Sequence, residues 1–413
     1  LHLEIPDKDR IQRFMITLMA RLLDSDTAVR LTIRHGVIQS ILPLDMSAVE
    51  RQLLPWVAPG LFDLQLNGFR GIWFSSETLT VDEVESVITA FAEQGITGCL
   101  PTLITNSCEA IEHGLRTIFL ATQRSGLVRD MIRGCHVEGP WISPDNGPRG
   151  AHPVAHVRAA DWSELERWQT AAGGLVKLVT LAPEAPGALD LIPAAVQRGI
   201  VIALGHTAAD GATISEAIQR GARLGTHLGN GCAGMIPRHD NVFWPQLADD
   251  RLAVSVIADG WHVPTPMLKC ILRCKTLDRL ILTSDVSGFG GCAPGRYTTL
   301  AVDVEVLADG RIVVAGQTQF LAGSGATTGE CVARFHQSCE VPLADAWTLA
   351  SVNPTRLLGL DASTITEGQP AFLTVFRMEP DGSAKVPESR RFVPQCAFVR
   401  GTRVNAPSAP AVS

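Results

Sequence analysis

The sequence predicts an α/β protein, a (β/α)8 barrel beside a small β-sandwich built from both chain ends. Three observations lead there. Short apolar, β-branched runs alternate with helical stretches, the rhythm of βα units around a parallel sheet. Eight such runs occur, the number that closes a barrel. The two ends of the 413-residue chain break that rhythm.

In order, the runs are LFDLQLN (61–67), TGCLPT (97–102), GCHVEG (134–139), VKLVTLAPE (176–184), IVIALGHT (200–207), LGTHLGN (224–230), AVSVIADG (253–260) and RLILTSD (279–285). Most end in a polar, often ionisable residue followed by a loop former. The stretches between them carry helix signals. Thr80 precedes VDEVESVITAFAEQG, with acids in the first turn and Gly95 at its end. Asp161 precedes WSELERWQTAAGG, and ADGATISEAIQRGA (209–222) lies between the fifth and sixth runs. A doubly wound open sheet is the alternative, but it would gather its polar strand ends at one switch point. Here they are spread over nearly every run.

Residues 28–55 read as two short strands with a turn at His35-Gly36, and residues 370–403 read as PAFLTVFRM followed by RRFVPQCAFVRG. These segments are expected to meet as the β-sandwich. The division is then 1–55 for its first part, 56–369 for the barrel, and 370–413 for its second part with a flexible tail, NAPSAPAVS.

Composition narrows the function classes. A hydrophobic fraction of 46% argues against a disordered chain. A net charge of −7 gives no support to a nucleic-acid or anionic-membrane surface. No apolar run approaches the ~20 residues that span a bilayer. FMITLMA, near the start, is flanked by charges and followed by no small-residue cleavage site, so it does not read as a signal peptide. The expectation is a cytoplasmic globular protein. Its charged fraction of 19% is low against an average near ~25%, which hints at a buried subunit interface. The ten cysteines form no CxxC pair and read as reduced thiols acting as small hydrophobes. Cys270 and Cys274, four apart in a helical pattern, read as packing. Histidines 2, 35, 113, 156 and 336 read as surface or packing residues.

In a barrel of this kind chemistry sits at the C-terminal ends of the strands. There the third run offers Glu138, the fifth His206, the sixth His227 and the eighth Asp285. Two imidazoles and a carboxylate suit a catalytic Zn²⁺-type ion with one position left open for water. The 21-residue step from His206 to His227 is one βα unit, which places them on adjacent strands. A carboxylate beside the water, here Asp285, can take its proton and later deliver it to a leaving amine. Structural alternatives stand beside each assignment: Glu138 in an ion pair with Arg149, and Asp285 capping the segment after it. The first run carries Gln65 and Asn67 where metal hydrolases often place His-x-His. Neutral amides bind a borderline-soft ion less well, so one metal is expected rather than a bridged pair. The two amides either ligate directly or form a hydrogen-bond scaffold.

These motifs resemble the N-acetylglucosamine-6-phosphate deacetylases of the amidohydrolase superfamily. The matching pieces are PGLFDLQLNG (59–68), GITGCLPTLITN (95–106), HVEGPW (136–141), RGAH (149–152), LAPE (181–184), GHTAA (205–209), THLGN (226–230), IADGWHV (257–263), LTSD (282–285), LAGSGAT (321–327) and SVNPTRLLGL (351–360). Their shared order and spacing carry the resemblance across the whole expected barrel. It implies that Glu138, His206 and His227 hold one divalent ion, Zn²⁺ first, with Fe²⁺, Co²⁺ or Mn²⁺ tolerated. It implies Asp285 as acid/base and His152 as the group steadying the oxyanion. The implied substrate contacts are Gln65, Asn67, Asn230, Gly231, Arg238, His262 and Gly323, with phosphate at Asn230 and Gly231. A homodimer is implied, with an arginine of the neighbouring subunit at the phosphate.

The chain also departs from the family. Its segment NGCAGMIPRHDNVFWPQL (230–247) lacks the family's Asn-Ala-Met and Arg-x-Pro-Gly stretches. Arg238 is the remaining candidate for the phosphate arginine. The eighth run is followed by VSGFGGCAPG, expected to be a flexible loop; no GxxxxGK[ST] or placed GxGxxG makes it a nucleotide site. The expected activity is metal-dependent deacetylation of an amino-sugar phosphate. The alternatives are another N-acetylhexosamine or amide substrate, and a sugar-phosphate binder without turnover.

Overall fold

The computed structural model describes residues 15–298, 303–381 and 389–407. His2, the flexible-tail assignment from 408 onward and the first residue of FMITLMA lie outside the described residues. All eight expected runs are parallel strands: Leu61–Leu66, Ile96–Ile104, Cys135–Glu138, Val176–Leu181, Val201–Leu204, Leu224–Gly225, Ala253–Ile257 and Leu280–Thr283. They neighbour one another in chain order. The sheet comes round on itself where Leu66 bridges Val286. Buried Asp63 fastens this seam by accepting from Thr283 Oγ1 and Thr328 Oγ1, each at 2.6 Å. The architecture is the expected (β/α)8 barrel.

The helix signals act where the sequence places them. Thr80 and Glu83 form a reciprocal capping box at the start of Val81–Glu93. That pairing satisfies backbone N–H groups left without helical partners. Gly95 follows the helix at φ +84°. Asp161 caps Trp162–Ala171, and Asp210 caps Gly211–Arg220.

The barrel interior is layered. At its base Phe62, Leu64, Leu100, Leu178, Ala203, Leu224, Ala253 and Ile281 form one apolar cluster, with Leu357, Leu358 and Leu360 against it. Above it lies a polar layer. His136 Nε2 is 2.8 Å from Thr180 Oγ1, and Thr180 Oγ1 is 2.8 Å from Thr226 Oγ1. One step further along the strands stand Glu138 and His227. The layering follows from strand alternation: His136 and Glu138, two apart, share the inward face.

Burial pushes the His136 imidazole down from its ordinary 6.5 to about 4. The unfolded chain binds a proton below pH 6.5, while the folded chain does so only near 4. Stability therefore falls as pH drops through that window. Wild type is expected to lose stability between pH 7 and 5 in urea titrations. His136→Gln should shrink that loss by about 2 kcal/mol. The same pH dependence in both proteins would show that His136 is charged in the fold.

The chain ends meet in one continuous sheet of seven strands. Its order is Thr402–Asn405, Arg390–Val399, Leu373–Pro380, Trp56–Pro59, Met15–Leu22, Ala28–Arg34 and Val37–Pro43. Its outer parts curl together over a core that includes Leu31, Ile33, Val57, Leu373 and Phe398. The turn at Gly36 seats against Arg400, where a Cβ on Gly36 would lie 2.5 Å from the Arg400 carbonyl oxygen.

Other features differ from expectation. A small antiparallel sheet follows the eighth barrel strand: Gly295–Tyr297, Val304–Val306, Ile312–Val314 and Gln317–Leu321. The first half of the glycine-rich segment before it is tucked in, while 293–295 are exposed. Residues 286–290 are buried, and Gly288 and Gly291 press on the rings of Trp73 and Phe69. Cys270 and Cys274 do not pack inward; both are exposed on helix Thr265–Lys275. Among the described residues no helix is long and apolar enough to cross a membrane.

Candidate active site

Glu138, His206 and His227 converge at the C-terminal mouth of the barrel. Glu138 Oε1 lies 3.2 Å from His206 Nε2 and 2.9 Å from His227 Nε2, and the two nitrogens are 3.2 Å apart. All three residues are buried. His206, His227 and Asp285 take positive φ values of 52°, 29° and 48°. Such backbone is costly for residues with a side chain and clusters at functional sites. Here it occurs where each strand ends and its side chain turns to the mouth.

The surroundings set the state of each group. His206 Nδ1 is 2.9 Å from the Pro148 carbonyl, so it donates there and the ring is held with Nε2 toward Glu138. Ser255 Oγ accepts the His227 backbone N–H at 2.8 Å. Burial works against a charge on Glu138, but hydrogen bonds from His206 and His227 outweigh it and hold the carboxyl well below the usual range. Burial likewise opposes a charge on His227, yet Glu138 raises it above its ordinary value. Arg149 does not pair with Glu138: it donates to the His152 carbonyl at 2.6 Å and to Asn146 at 2.8 Å.

One carboxylate oxygen and two imidazole nitrogens fit a divalent metal. On a tetrahedral ion with bonds of ~2.0–2.1 Å, neighbouring donor atoms lie about 3.3 Å apart. The observed separations of 2.9–3.2 Å come close to that. The donors are also the set expected at a catalytic site with an open position.

Gln65 and Asn67 take the hydrogen-bond role. Gln65 Nε2 donates to Glu138 Oε1 at 2.8 Å, and Asn67 Nδ2 donates to Asp285 Oδ1 at 2.8 Å. The first strand thus braces both carboxylates. A register shift between Asp63 and Leu66 makes this possible. Leu64 joins the interior apolar layer, yet its neighbour Gln65 also reaches inward. Such bulges re-aim side chains near active sites. Asn67 Oδ1 stays buried without a partner.

Asp285 caps nothing in the segment after it; its carboxylate is held by Asn67. Burial, then the charge of Glu138, pushes it up to about 6. The His152 ring centroid stands 4.2 Å from that of His206, with Nε2 3.9 Å from Glu138 Oε2 and Nδ1 2.8 Å from Thr105 Oγ1. Burial, then His206, pushes its pKa down to about 3, so the ring is neutral. His262 Nδ1 is 2.7 Å from Asp259 Oδ2.

The remaining expected contacts lie on the rim. Asn230 donates to the His227 carbonyl at 3.3 Å. A Cβ on Gly231 would sit 2.7 Å from His206 Nδ1, so this glycine lets the loop lie directly on the ligand ring. Arg238 is exposed further along that loop. Gly323, at φ +109°, packs against Ser287, two residues past Asp285. Sequence reasoning missed the supports: Thr105, the Pro148 carbonyl, Ser255 and Asp259. Only Asp259 carried a signal, an acid three residues before a histidine.

The amidohydrolase family profile matches residues 56–404. The chain belongs to the amidohydrolase family. This amidohydrolase is 35% identical over 316 residues to N-acetylglucosamine-6-phosphate deacetylase of Bos taurus, covering 74% of this chain and 75% of the relative. It is 31% identical over 333 residues to N-acetylgalactosamine-6-phosphate deacetylase of Escherichia coli O157:H7, covering 80% and 85%. Among solved structures, one is an aspartate-to-alanine mutant of N-acetyl-D-glucosamine-6-phosphate deacetylase from Mycobacterium smegmatis, in complex with N-acetyl-D-glucosamine-6-phosphate. It matches 95% of the amidohydrolase and 100% of its own chain, with TM-score 0.80 and 30% identity.

Proposed function

We propose that this amidohydrolase removes the acetyl group from an N-acetylhexosamine 6-phosphate, N-acetylglucosamine 6-phosphate first, releasing acetate and the amino-sugar phosphate. One observation carries the reading: a His₂Glu cluster faces a carboxylate that a separate amide holds in place. The deacetylases it resembles support the substrate class.

Glu138, His206 and His227 would hold one divalent cation, zinc by preference for this donor set. When bound, such an ion acidifies water and polarises a carbonyl. Asp285 accepts the proton of the attacking water and returns it to the nitrogen as acetate leaves. Asn67 keeps the Asp285 carboxylate aimed. Neutral His152, anchored through Nδ1 to the Thr105 hydroxyl, steadies the developing oxyanion from Nε2. Asn230, Gly231 and Arg238 take the phosphate, and His262 and Gly323 the sugar. The barrel, from Leu61 onward, carries the chemistry, and the chain-end sheet, which takes in Trp56–Pro59, supports it. A homodimer fits the low charged fraction, and a cytoplasmic setting fits the ten free cysteines.

The E. coli relative favours a second reading, in which the sugar is the galacto epimer. Acetate release should be compared for both N-acetylhexosamine 6-phosphates and for unphosphorylated N-acetylglucosamine. At least one phosphorylated sugar is expected to exceed the unphosphorylated one about 100-fold in kcat/KM, since an unpaired anion site forfeits ~2–3 kcal/mol. Equal rates with and without phosphate would remove the phosphate from the specificity. No acetate from any of the three would favour a binder or another amide.

A further inference from the structure

The segment LAPE (181–184) ends the fourth barrel strand, and its acid, Glu184, has no part in the chemistry described above. Glu184 is exposed, yet both its carboxylate oxygens are engaged. Oε2 accepts the Thr207 hydroxyl at 2.5 Å, and Oε1 accepts the Ala208 backbone N–H at 2.6 Å. Thr207 Oγ1 in turn accepts the Ala209 backbone N–H at 3.0 Å. These three residues directly follow His206 in the chain. Glu184 is itself set in place. It stands between Pro183 and Pro186, whose rings restrict the backbone, in a turn closed by the Ala185 N–H on the Ala182 carbonyl at 3.0 Å.

His206 has need of such support. A residue with a side chain keeps a φ of 52° only where its surroundings over-determine it. On the strand side, Gly205 N–H donates to the Leu181 carbonyl at 3.1 Å, and the His206 carbonyl accepts the Ser143 N–H at 2.9 Å. The Pro148 carbonyl fixes the ring through Nδ1. Glu184 fixes the chain just past the ring. The loop after the fourth strand thus holds the turn that aims the side chain of the fifth.

We propose that Glu184 is a positioning residue for the metal centre: by clamping Thr207 and Ala208 it holds His206 in its strained backbone, with Nε2 toward Glu138 and His227. The inference rests on the reading of Glu138, His206 and His227 as metal ligands. Glu184 is not one of that cluster; it acts through the backbone that follows His206. Without the clamp, the turn must be ordered when the metal binds, and affinity falls.

The test measures zinc affinity by chelator competition on the full-length protein, together with the melting temperature of the metal-free form. Glu184→Ala removes both bonds and should weaken zinc binding about tenfold, the size of effect seen for groups that orient ligands from outside the metal. Glu184→Gln, which keeps one acceptor oxygen without charge, should recover part of that loss. Thr207→Ser keeps the hydroxyl and should bind zinc as wild type does, while Thr207→Val should not. Asp210→Ala is the control for local stability. Asp210 caps the helix that begins at Gly211, its Oδ1 accepting the Thr213 N–H at 2.8 Å. Its loss should lower the melting temperature but leave zinc affinity within about twofold. Unchanged zinc affinity in Glu184→Ala overturns the clamp, and so does an equal weakening in Asp210→Ala. The expected zinc pattern without acetate release from any sugar sinks the deacetylase reading alone. A wild type that binds no zinc sinks the ligand assignment and the clamp with it.

Discussion

Asp285→Asn is expected to lower kcat by about 10³-fold and leave the bound metal in place. The change is nearly isosteric. An asparagine oxygen can still accept from Asn67, which now sits 2.8 Å from Asp285 Oδ1. What disappears is the ability to take a proton from water and hand it to the departing nitrogen. The metal cluster is untouched, because Asp285 is not among Glu138, His206 and His227. Wild type should also show an acid limb in kcat/KM. Burial and the Glu138 charge push the Asp285 carboxyl up to about 6, and a base must be deprotonated to act. A cation at the cluster favours the carboxylate form, so activity should fall with decreasing pH at or below that value. The limb should be missing in the variant. Near wild-type turnover in Asp285→Asn would remove the residue from the proton-transfer role.

Glu138→Gln is expected to abolish metal retention and, with it, about 10³-fold or more of turnover. Glu138 supplies the sole anionic donor of the cluster, and its Oε1 faces both imidazoles. An amide of the same shape keeps an oxygen for Gln65 but offers no charge to a cation. Wild type should carry about one equivalent of metal after dialysis, and the variant less than a tenth. Circular dichroism should show the barrel intact. A variant that keeps a full equivalent would remove Glu138 from the ligand set, and two equivalents in wild type would restore the bridged pair.

The barrel was legible because its signals are local. Each strand is an apolar run ending in a polar residue, and each helix begins at a capping side chain such as Thr80 or Asp161. The cluster was legible because strand ends in a barrel converge, whatever lies between them in sequence. Gln65 was harder. Strict alternation sets it opposite Leu64, and only the register shift turns both inward. Met15–Leu22 was invisible as a strand because apolar residues occupy both its faces: Met15 and Met19 are exposed while Ala20 is buried. The inserted sheet escaped notice because three of its strands have three residues each, too few to show a period. Cys270 and Cys274 were placed correctly on one helix face, but spacing alone does not say which face meets the core.

The sheet that joins the two chain ends has a consequence for how the molecule assembles. Trp56–Pro59 lies between Met15–Leu22 and Leu373–Pro380, and nearby Leu61 N–H reaches Thr374 Oγ1 across 313 residues. Contacts of that separation are slow to form, since a long loop must close first. During synthesis the first four strands of this sheet emerge early and then wait, with the edge of Trp56–Pro59 open, for partners made near the end. The barrel strands, by contrast, each pair with a neighbour made soon before or after. The last step of folding is therefore the docking of the C-terminal strands, and a chain truncated before Leu373 would leave a finished run of barrel strands beside an unpaired edge prone to self-association.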